Sequence, residues 1–500
     1  MEDEIPAPPK PDITQPFPAH DFLSPDPDIP ESAYPEIDDP YESQSKTHVQ
    51  MLAYGPQDLY LYDRHGTRPY VAPYKTHTPF AIDHIDFPFQ DVFFGRRLRI
   101  PLSTARFASG LRLRPVDLFG RLFLEVQLPV VRLDENAYGG SGTPEFYWTN
   151  GVGFALLEHA SLTIEEDPFD EMTSQIMDVD HELDSGSNYD IIAKLVGKYE
   201  TDNAIELRTD VPRTVFVPLP FLHGKPGHPF LPLFAIQNTN VFLDLKFRHL
   251  EELVRLNPIE GGEYEHVDVQ LRPRGALFSA TLNVSQVPMI VEYDGVPTND
   301  RDIRGTLYAD MIALHGPEKT SVKMIDQEML WKARHATTFE LSGGRESFFV
   351  MLDELGALPN RPVSEIVVLL QSGLRYRKKR HLNYELDPEN HAKRIWLTIE
   401  GQEYGDGKNA LRKDNYERLT RLNAYRHHTR VPRKEIYVIP LCLEPTEYQP
   451  TGAINFARTK RVRLNLDFDH VVEDNLVVTM ISTYYSVMRI RDGQFRKAFL

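Results

Sequence analysis

Between Arg461 and Phe468 the chain alternates without a break, with Val462, Leu464, Leu466 and Phe468 on one side and Arg461, Arg463, Asn465 and Asp467 on the other. A side-chain period of two fits a strand with one face buried and one in water, and it fits no helix. The pattern recurs at Leu98 and Ile100 against Arg97 and Arg99, and at Leu122, Leu124, Val126 and Leu128 within Asp117 to Pro129. Further strands are expected at Phe80 to Phe89, Leu156 to Ile164, Thr214 to Phe221, Ala276 to Tyr293 and Thr306 to Leu314. Leu231 to Phe247 reads as two more, Leu231–Ile236 and Val241–Phe247, divided by Gln237-Asn238-Thr239-Asn240. In the second half, strands are expected at Phe339 to Leu352, Ser364 to Gln371, Lys393 to Glu400, Glu435 to Leu443 and Asn475 to Ile490. Helical spacing is confined to two places. Met172, Ile176, Met177, Ile191, Ile192, Leu195 and Val196 suit short helices around a polar break at Asp184 to Asn188, and Asn415 to Tyr425 suits another. Strands that do not alternate with helices pair antiparallel. A chain of 500 residues exceeds one ordinary core. The expected fold is therefore all-β, two consecutive antiparallel sandwiches of about seven to nine strands each, with a few short helices and long loops. The 39 prolines agree, because proline is excluded from helix interiors and central strands.

Charge narrows the partners. A net charge of −18 argues against binding nucleic acid through its phosphates, which needs a basic surface. The single cysteine, Cys442, excludes an internal disulfide and reads as a small buried hydrophobe in an apolar strand, which suits assembly in a reducing compartment. The first residues are acidic and proline-rich with no apolar core of a signal peptide, and no apolar run of about 18 residues suggests a membrane span. Residues 1–48 differ from all that follows, with prolines at 6, 8, 9, 11, 16, 18, 25, 27, 30, 35 and 40 among Asp and Glu. Such a segment buries too little apolar surface to offset its ordering entropy, so an extended arm is expected, with Phe17, Phe22, Leu23, Tyr34 and Tyr41 as anchors for a partner surface or else a solubilising tail.

The candidate chemistry is thin. Asp178-Val179-Asp180-His181-Glu182-Leu183-Asp184-Ser185-Gly186 sets acids at alternate positions like a calcium loop, but lacks Gly at the sixth and Glu at the twelfth position, and reads as a solvated helix end or loop. His223 and His228 flank Gly224-Lys225-Pro226-Gly227, and His427-His428 lie among arginines; without Cys or acid at ligand spacing they read as surface histidines. Gly224-Lys225 has no P-loop glycine at the right distance before it. Arg375, Arg377, Lys378, Lys379, Arg380 and His381 form the dense basic run, suited to a solvated strand end, nucleic acid, an acidic partner or the acidic arm of a neighbouring copy. Asn283-Val284-Ser285 is a glycosylation sequon inside an expected strand. No catalytic, cofactor-binding or metal-ligating residue is assigned, and the residues favour no enzyme.

One loop stands apart. Glu444 to Arg458 joins two expected strands, with Pro450 placed for the second position of a type I turn and Gly452 for the fourth. Its sequence, Glu444-Pro445-Thr446-Glu447-Tyr448-Gln449-Pro450-Thr451-Gly452-Ala453-Ile454-Asn455-Phe456-Ala457-Arg458, resembles the "EHQPSGTCNFSRID" loop of the major capsid proteins of nucleocytoplasmic large DNA viruses. Other stretches resemble that family in the same order. They are Leu52 to Leu61 ("VAYGAQDIYL", with Pro56 for Ala), Tyr74 to Ala81, Asp117-Leu118 with Leu122 to Pro129, Trp148 to Ile164, Phe216 to Phe221, Leu231 to Gln237 and Tyr484 to Ile490. Residues between Phe247 and Thr306 depart from the pattern as an insertion or a divergent strand pair, and the arm before Met51 is longer than the family's short N-terminus.

The resemblance implies a double jelly roll, with an arm at 1–48, a first jelly roll at 49–318 and a second at 319–500. It implies a homotrimeric, pseudo-hexagonal capsomer tiling an icosahedral shell. The implied partners are other copies, neighbouring capsomers, minor capsid and penton proteins and internal-membrane proteins, with no nucleic acid and no cofactor. The implied location is the virion capsid, assembled in host cytoplasm or a viral factory. Loops 131–150 and 401–433 would build the outer crown or contacts between subunits. Alternatives are a same-fold scaffold of immature particles and, from another class, a carbohydrate-binding or carbohydrate-cleaving β-sandwich.

Overall fold

A computed structural model describes residues 79–102, 117–133, 145–199, 207–223, 228–236, 238–257, 265–266, 268–271, 277–282, 285–294, 296–297, 302–323, 326–373, 376, 380–384, 386, 391–404 and 415–498. The 1–48 arm, the Leu52–Leu61 stretch, Gly224–Gly227, Asn283-Val284 and most of the 375–381 basic run lie outside these residues.

Eight strands build the first sandwich: β1 (Phe80–Phe93), β2 (Arg97–Pro101), β3 (Leu118–Leu128), β4 (Leu157–Ile164), β5 (Asp167–Thr173), β6 (Arg213–Leu219), β7 (Val241–Phe247) and β8 (Asp302–Leu314). They pair antiparallel in two sheets, ordered β1-β8-β3-β6 and β2-β7-β4-β5. The alternation read in β3 decides the core. Leu122, Leu124, Val126 and Leu128 turn inward with Val215, Val217 and Leu307, against Leu162, Leu243 and Leu245 of the facing sheet. Arg121, Phe123, Glu125 and Gln127 turn outward.

Eight more strands follow: β9 (Gln327–Leu341), β10 (Arg345–Met351), β11 (Pro362–Ser372), β12 (Ala392–Ile399), β13 (Gln402–Tyr404), β14 (Ile436–Pro440), β15 (Val462–Val472) and β16 (Leu476–Arg491). Their sheets run β9-β16-β11-β14 and β10-β15-β12-β13. Adding eight to each strand of the first sandwich gives the second, so one topology occurs twice. Each is a jelly roll, two four-stranded antiparallel sheets face to face, and the chain is a double jelly roll.

The second roll has an unusual sheet. In β11, residues Val363 to Ser372 are all buried. Ile366, Val368 and Leu370 point into the second roll's own core, whereas Val367 and Leu369 join the first roll's core cluster. A strand covered on both faces carries a continuous apolar run rather than an alternating one. The rolls therefore share a buried seam along the outer face of β9-β16-β11-β14.

Several expectations are corrected. Leu231–Ile236 is no strand: Leu231 forms a single bridge to Phe119, and Leu233–Ala235 is a 3-10 turn. Pro232 inside the segment has no N–H for a ladder. Phe339 to Leu352 is not one strand but the end of β9 and all of β10, parted at Gly344, whose φ of +83° suits glycine. The start of β9 escaped notice because its outward residues, Lys332 and Arg334, are charged yet covered, Arg334 by Asp180 and the Pro220 carbonyl of the first roll and Lys332 by the carbonyls of Pro445 and Glu447. β14 stops at Pro440, so Cys442 lies beyond the strand and is half-buried, with burial pushing its thiol pKa up. Between β7 and β8 the departing segment forms small sheets of its own, in which Leu277–Leu282 pairs with Ser285–Tyr293 and the latter with Val130–Leu133.

Candidate functional site

The polar groups of the seam grow from helix α1 (Ser174–Asp184), which follows β5 and is capped by Thr173, whose hydroxyl accepts the Ile176 N–H at 3.4 Å. Residues three and four apart share a helical face, which brings Asp178, His181 and Glu182 together. All three are buried. Helix α2 (Tyr189–Val196) ends at Gly197, whose φ of +69° turns the chain back so that the Lys198 N–H donates to Ala193 O at 2.7 Å. That turn delivers the Lys198 ammonium to the cluster, where it donates to Asp178 Oδ1 at 2.6 Å, Glu182 Oε1 at 2.6 Å and His181 Nδ1 at 3.1 Å.

Asp178, His181 and Glu182 have ligand-type atoms within 4.8 Å of one another, a metal-like grouping. The ammonium fills it instead, with three donors for three acceptors. Because His181 Nδ1 accepts, its Nε2 carries the proton and donates to Tyr189 O at 3.0 Å. Burial and the adjacent Lys198 push the His181 pKa down to about 4. The Tyr189 hydroxyl donates to Glu182 Oε1 at 2.9 Å, and its ring stacks on His181 at 4.3 Å.

The second roll closes the cluster from the other side. Lys434 Nζ donates to Asp178 Oδ2 at 2.6 Å and to Leu382 O at 2.6 Å, and the Arg433 backbone N–H donates to Glu182 Oε2 at 2.9 Å. The guanidinium groups of Arg430 and Arg433 lie 3.4 and 4.6 Å from the centre of the Tyr189 ring. Burial alone would raise the Asp178 carboxyl, but Lys198 and Lys434 more than offset it and hold it at about 2. One turn along α1, His428 bridges the rolls, donating from Nδ1 to Asp184 at 3.0 Å and from Nε2 to Glu365 at 2.8 Å. Burial opposes its charge, yet the two carboxylates raise its pKa to about 10. Arg334 of β9 pairs with Asp180 at 2.9 Å. A cavity of ≈ 240 Å³ lies between α1 and the sheet, lined among others by Val179, Lys332, Arg334, Glu365, Ile481 and Thr483.

The structure thus overturns two readings. Asp178 to Asp184 is neither a calcium loop nor a solvated end but a buried acidic helix face. His428 is no surface histidine, and neither is His223, which is buried against Phe119, Phe221 and Trp331 with its pKa lowered to about 4 by burial. The signal for the cluster was present as Asp178, His181 and Glu182 at helical spacing. Its partners Lys198 and Lys434, 16 to 256 positions away, carried none.

The Glu444 to Arg458 loop serves packing. Thr451 Oγ1 accepts the Glu444 N–H at 2.8 Å and so staples the loop's base. Lys332 Nζ donates to Pro445 O, and to Glu447 O at 3.0 Å; the Tyr448 hydroxyl donates to Leu330 O at 2.8 Å. Ile454-Asn455 adds a short strand to β11, and Phe456 enters the second core. Gly452 has φ +141°, and a Cβ there would sit 3.3 Å from Cys442 Cα. What the seam does chemically is hold: an acidic helix is riveted to a basic surface. Among the described residues it brings no nucleophile, base and orienting group together.

Comparison with known proteins agrees. The family described as "Major capsid protein N-terminus" matches residues 69–293. The chain is 22% identical to the major capsid protein of Phaeocystis pouchetii virus over 89% of this chain and 98% of that protein. It is 29% identical to Capsid protein 1 of Acanthamoeba polyphaga mimivirus over 41% of this chain and 34% of that protein, so it spans only about a third of that relative. Among solved structures, PBCV-1 VP54 fitted into a reconstruction of the virophage Sputnik superimposes with a TM-score of 0.61 at 16% identity, covering 86% of this chain and 99% of that one. The Faustovirus major capsid protein gives a TM-score of 0.58 at 11% identity, covering 86% and 93%.

Proposed function

We propose that this chain is a double jelly-roll major capsid protein of the kind found in the nucleocytoplasmic large DNA viruses, to which it is similar, and that three copies form one pseudo-hexagonal tile of the virion shell. The observation that carries the proposal is the duplicated topology. Two rolls with the same strand order, held side by side by a buried seam, make one third of a six-roll ring. The protein acts by standing rather than by catalysis. The 49–318 and 319–500 segments are the two rolls of each tile unit, and residues 1–48 run to neighbouring tiles. Minor capsid and penton proteins fill the remaining gaps, and assembly takes place in the host cytoplasm or a viral factory.

Multi-angle light scattering on the purified full chain tests this. The expected mass is three times 57.5 kDa. A monomer at micromolar concentration overturns the tile. Abundance in purified virions separates a shell protein from a scaffold that leaves before maturation.

A further inference from the structure

Standing in a shell does not require a buried cluster this rich in reactive groups. The side chains of Lys198, Asp178 and Glu182 are 3%, 0% and 0% exposed, and Lys198 Nζ touches Asp178 Oδ1 and Glu182 Oε1 at 2.6 Å each. An amine held against one carboxyl, with a second carboxylate on the same amine to move its proton, is a sufficient set of groups for condensation to an amide. Burial also keeps water away from all three, so the reverse hydrolysis lacks its reagent.

We propose that Lys198 and Asp178 become covalently joined after folding, by an amide between Nζ and Cγ, with Glu182 as the catalytic residue. The 2.6 Å contact to Oδ1 sets Nζ about 3–3.5 Å from Cγ, the spacing of a near-attack arrangement, and α1 and the turn at Gly197 hold both groups there. Glu182 takes one ammonium proton across its own 2.6 Å contact. The freed amine attacks Cγ, and negative charge develops on Oδ2, where the Lys434 ammonium already donates at 2.6 Å. Glu182 then gives its proton to Oδ1, the nitrogen gives up a second one to the same oxygen, and the Cγ–Oδ1 bond breaks to release water. One C–N bond forms, one C–O bond breaks, and no oxidant or reductant takes part. One ammonium and one carboxylate vanish together, so Lys434 and Glu182 still balance in charge.

Both lysines touch Asp178, and their second contacts choose between them. The other acceptor of Lys434 is the Leu382 carbonyl, which takes no proton, whereas that of Lys198 is Glu182. The ion pair is the state that the folded chain reaches first. Burial opposes the Lys198 charge, but Asp178 and Glu182 more than offset it and hold its pKa above the ordinary lysine range. The reactive amine is therefore a minor population, and the bond accumulates slowly. Two effects drive it: the neutral amide removes the desolvation cost of two buried charges, and groups fixed in contact react as if at very high concentration. The product staples α1 to the turn after α2, 20 positions along the chain, and so anchors the helix on which Lys434 and the Arg433 N–H dock. The bond lies within one chain, so it does not depend on three copies making a tile.

Mass spectrometry of the purified full-length chain, denatured at intervals after purification, tests the bond. A population one water lighter than the sequence requires is expected, growing with time in the folded chain and not in chain kept in denaturant. Tryptic digestion should then give a branched peptide in which Lys198 is uncleaved and carries the segment that holds Asp178. Hydroxylamine should leave that peptide intact, because it opens a cyclic imide of Asp178 but not an amide. Lys198→Arg, which keeps the charge, should retain the full mass. Glu182→Gln, checked for native fold by circular dichroism, should slow bond formation by about a hundredfold or more. A wild-type chain that keeps its full mass throughout overturns the proposal without recourse to any variant, and leaves the shell reading intact. A branched peptide through Lys434 instead overturns the choice of Lys198. Water loss with no branched peptide places the change in an imide and overturns the bond. A folded Glu182→Gln chain that links at the native rate removes Glu182 from the catalysis.

Discussion

Lys198 is the residue on which the seam depends most. Its ammonium satisfies two carboxylates and a neutral imidazole, all of them buried. Removing one partner of a buried pair leaves the other charge uncompensated, and that loss exceeds the net worth of the pair. Lys198→Met should therefore destabilise the chain by about 3–5 kcal/mol in denaturant unfolding, although methionine matches the lysine stem in volume. The pH dependence follows from the neighbours. Asp178 is held at about 2 against an ordinary 3.8, so its contribution is present above the ordinary value and is lost as pH falls towards 2. His428 is raised to about 10 from 6.5, so its contribution is complete below 6.5 and is lost as pH rises through 10. Urea midpoints measured from pH 6.5 to 10 should fall in the native chain, and His428→Asn should flatten that decline. An unchanged slope would place the alkaline loss on another group.

At the scale of the element, β11 differs from the strands around it because it has no wet face. Leu370 packs inside the second roll and Leu369 packs in the seam, and both are essentially inaccessible. Leu369→Ala and Leu370→Ala should each cost about 2–5 kcal/mol of stability, whereas Glu346→Ala on the exposed edge of β10 should stay within about 0.5 kcal/mol. A strand with one solvent face would lose stability at only one of the two leucines. The helices were legible because their spacing switches from two to three and four, and α1 and α2 fall on either side of the polar break at Asp184 to Asn188, although Met172, read with the helices, is a residue of β5 paired with Ala160. β5 was not legible. Its Asp167-Pro168-Phe169-Asp170-Glu171 begins with acids and a proline, and only pairing with β4 makes it a strand.

For the whole molecule, the seam decides how the chain behaves as a building unit. Two rolls fixed by a shared core move as one body, so a shell built from them needs fewer independent contacts to hold its curvature. The proposed role of the 1–48 segment, between units rather than within one, is open to a direct test. Deleting residues 1–48 should leave the trimer mass unchanged by light scattering but lower the yield of closed shells seen by electron microscopy. Loss of the trimer itself would assign the arm to the fold.

The sequence by itself determined the all-β class and most of the strands, because a buried face writes a period of two into any stretch that lines it, and its ordered motifs carried the resemblance to the capsid family. It also placed the Glu444 to Arg458 loop between two strands and marked it as the sharpest identifier. Only the tertiary structure decided which charged residues are buried. Asp178, Glu182, Lys198, Lys434 and His428 look like solvated charges one at a time, and become an interior when two rolls close over them. Burial of a charge depends on the partner that neutralises it, and here that partner lies up to 256 positions away.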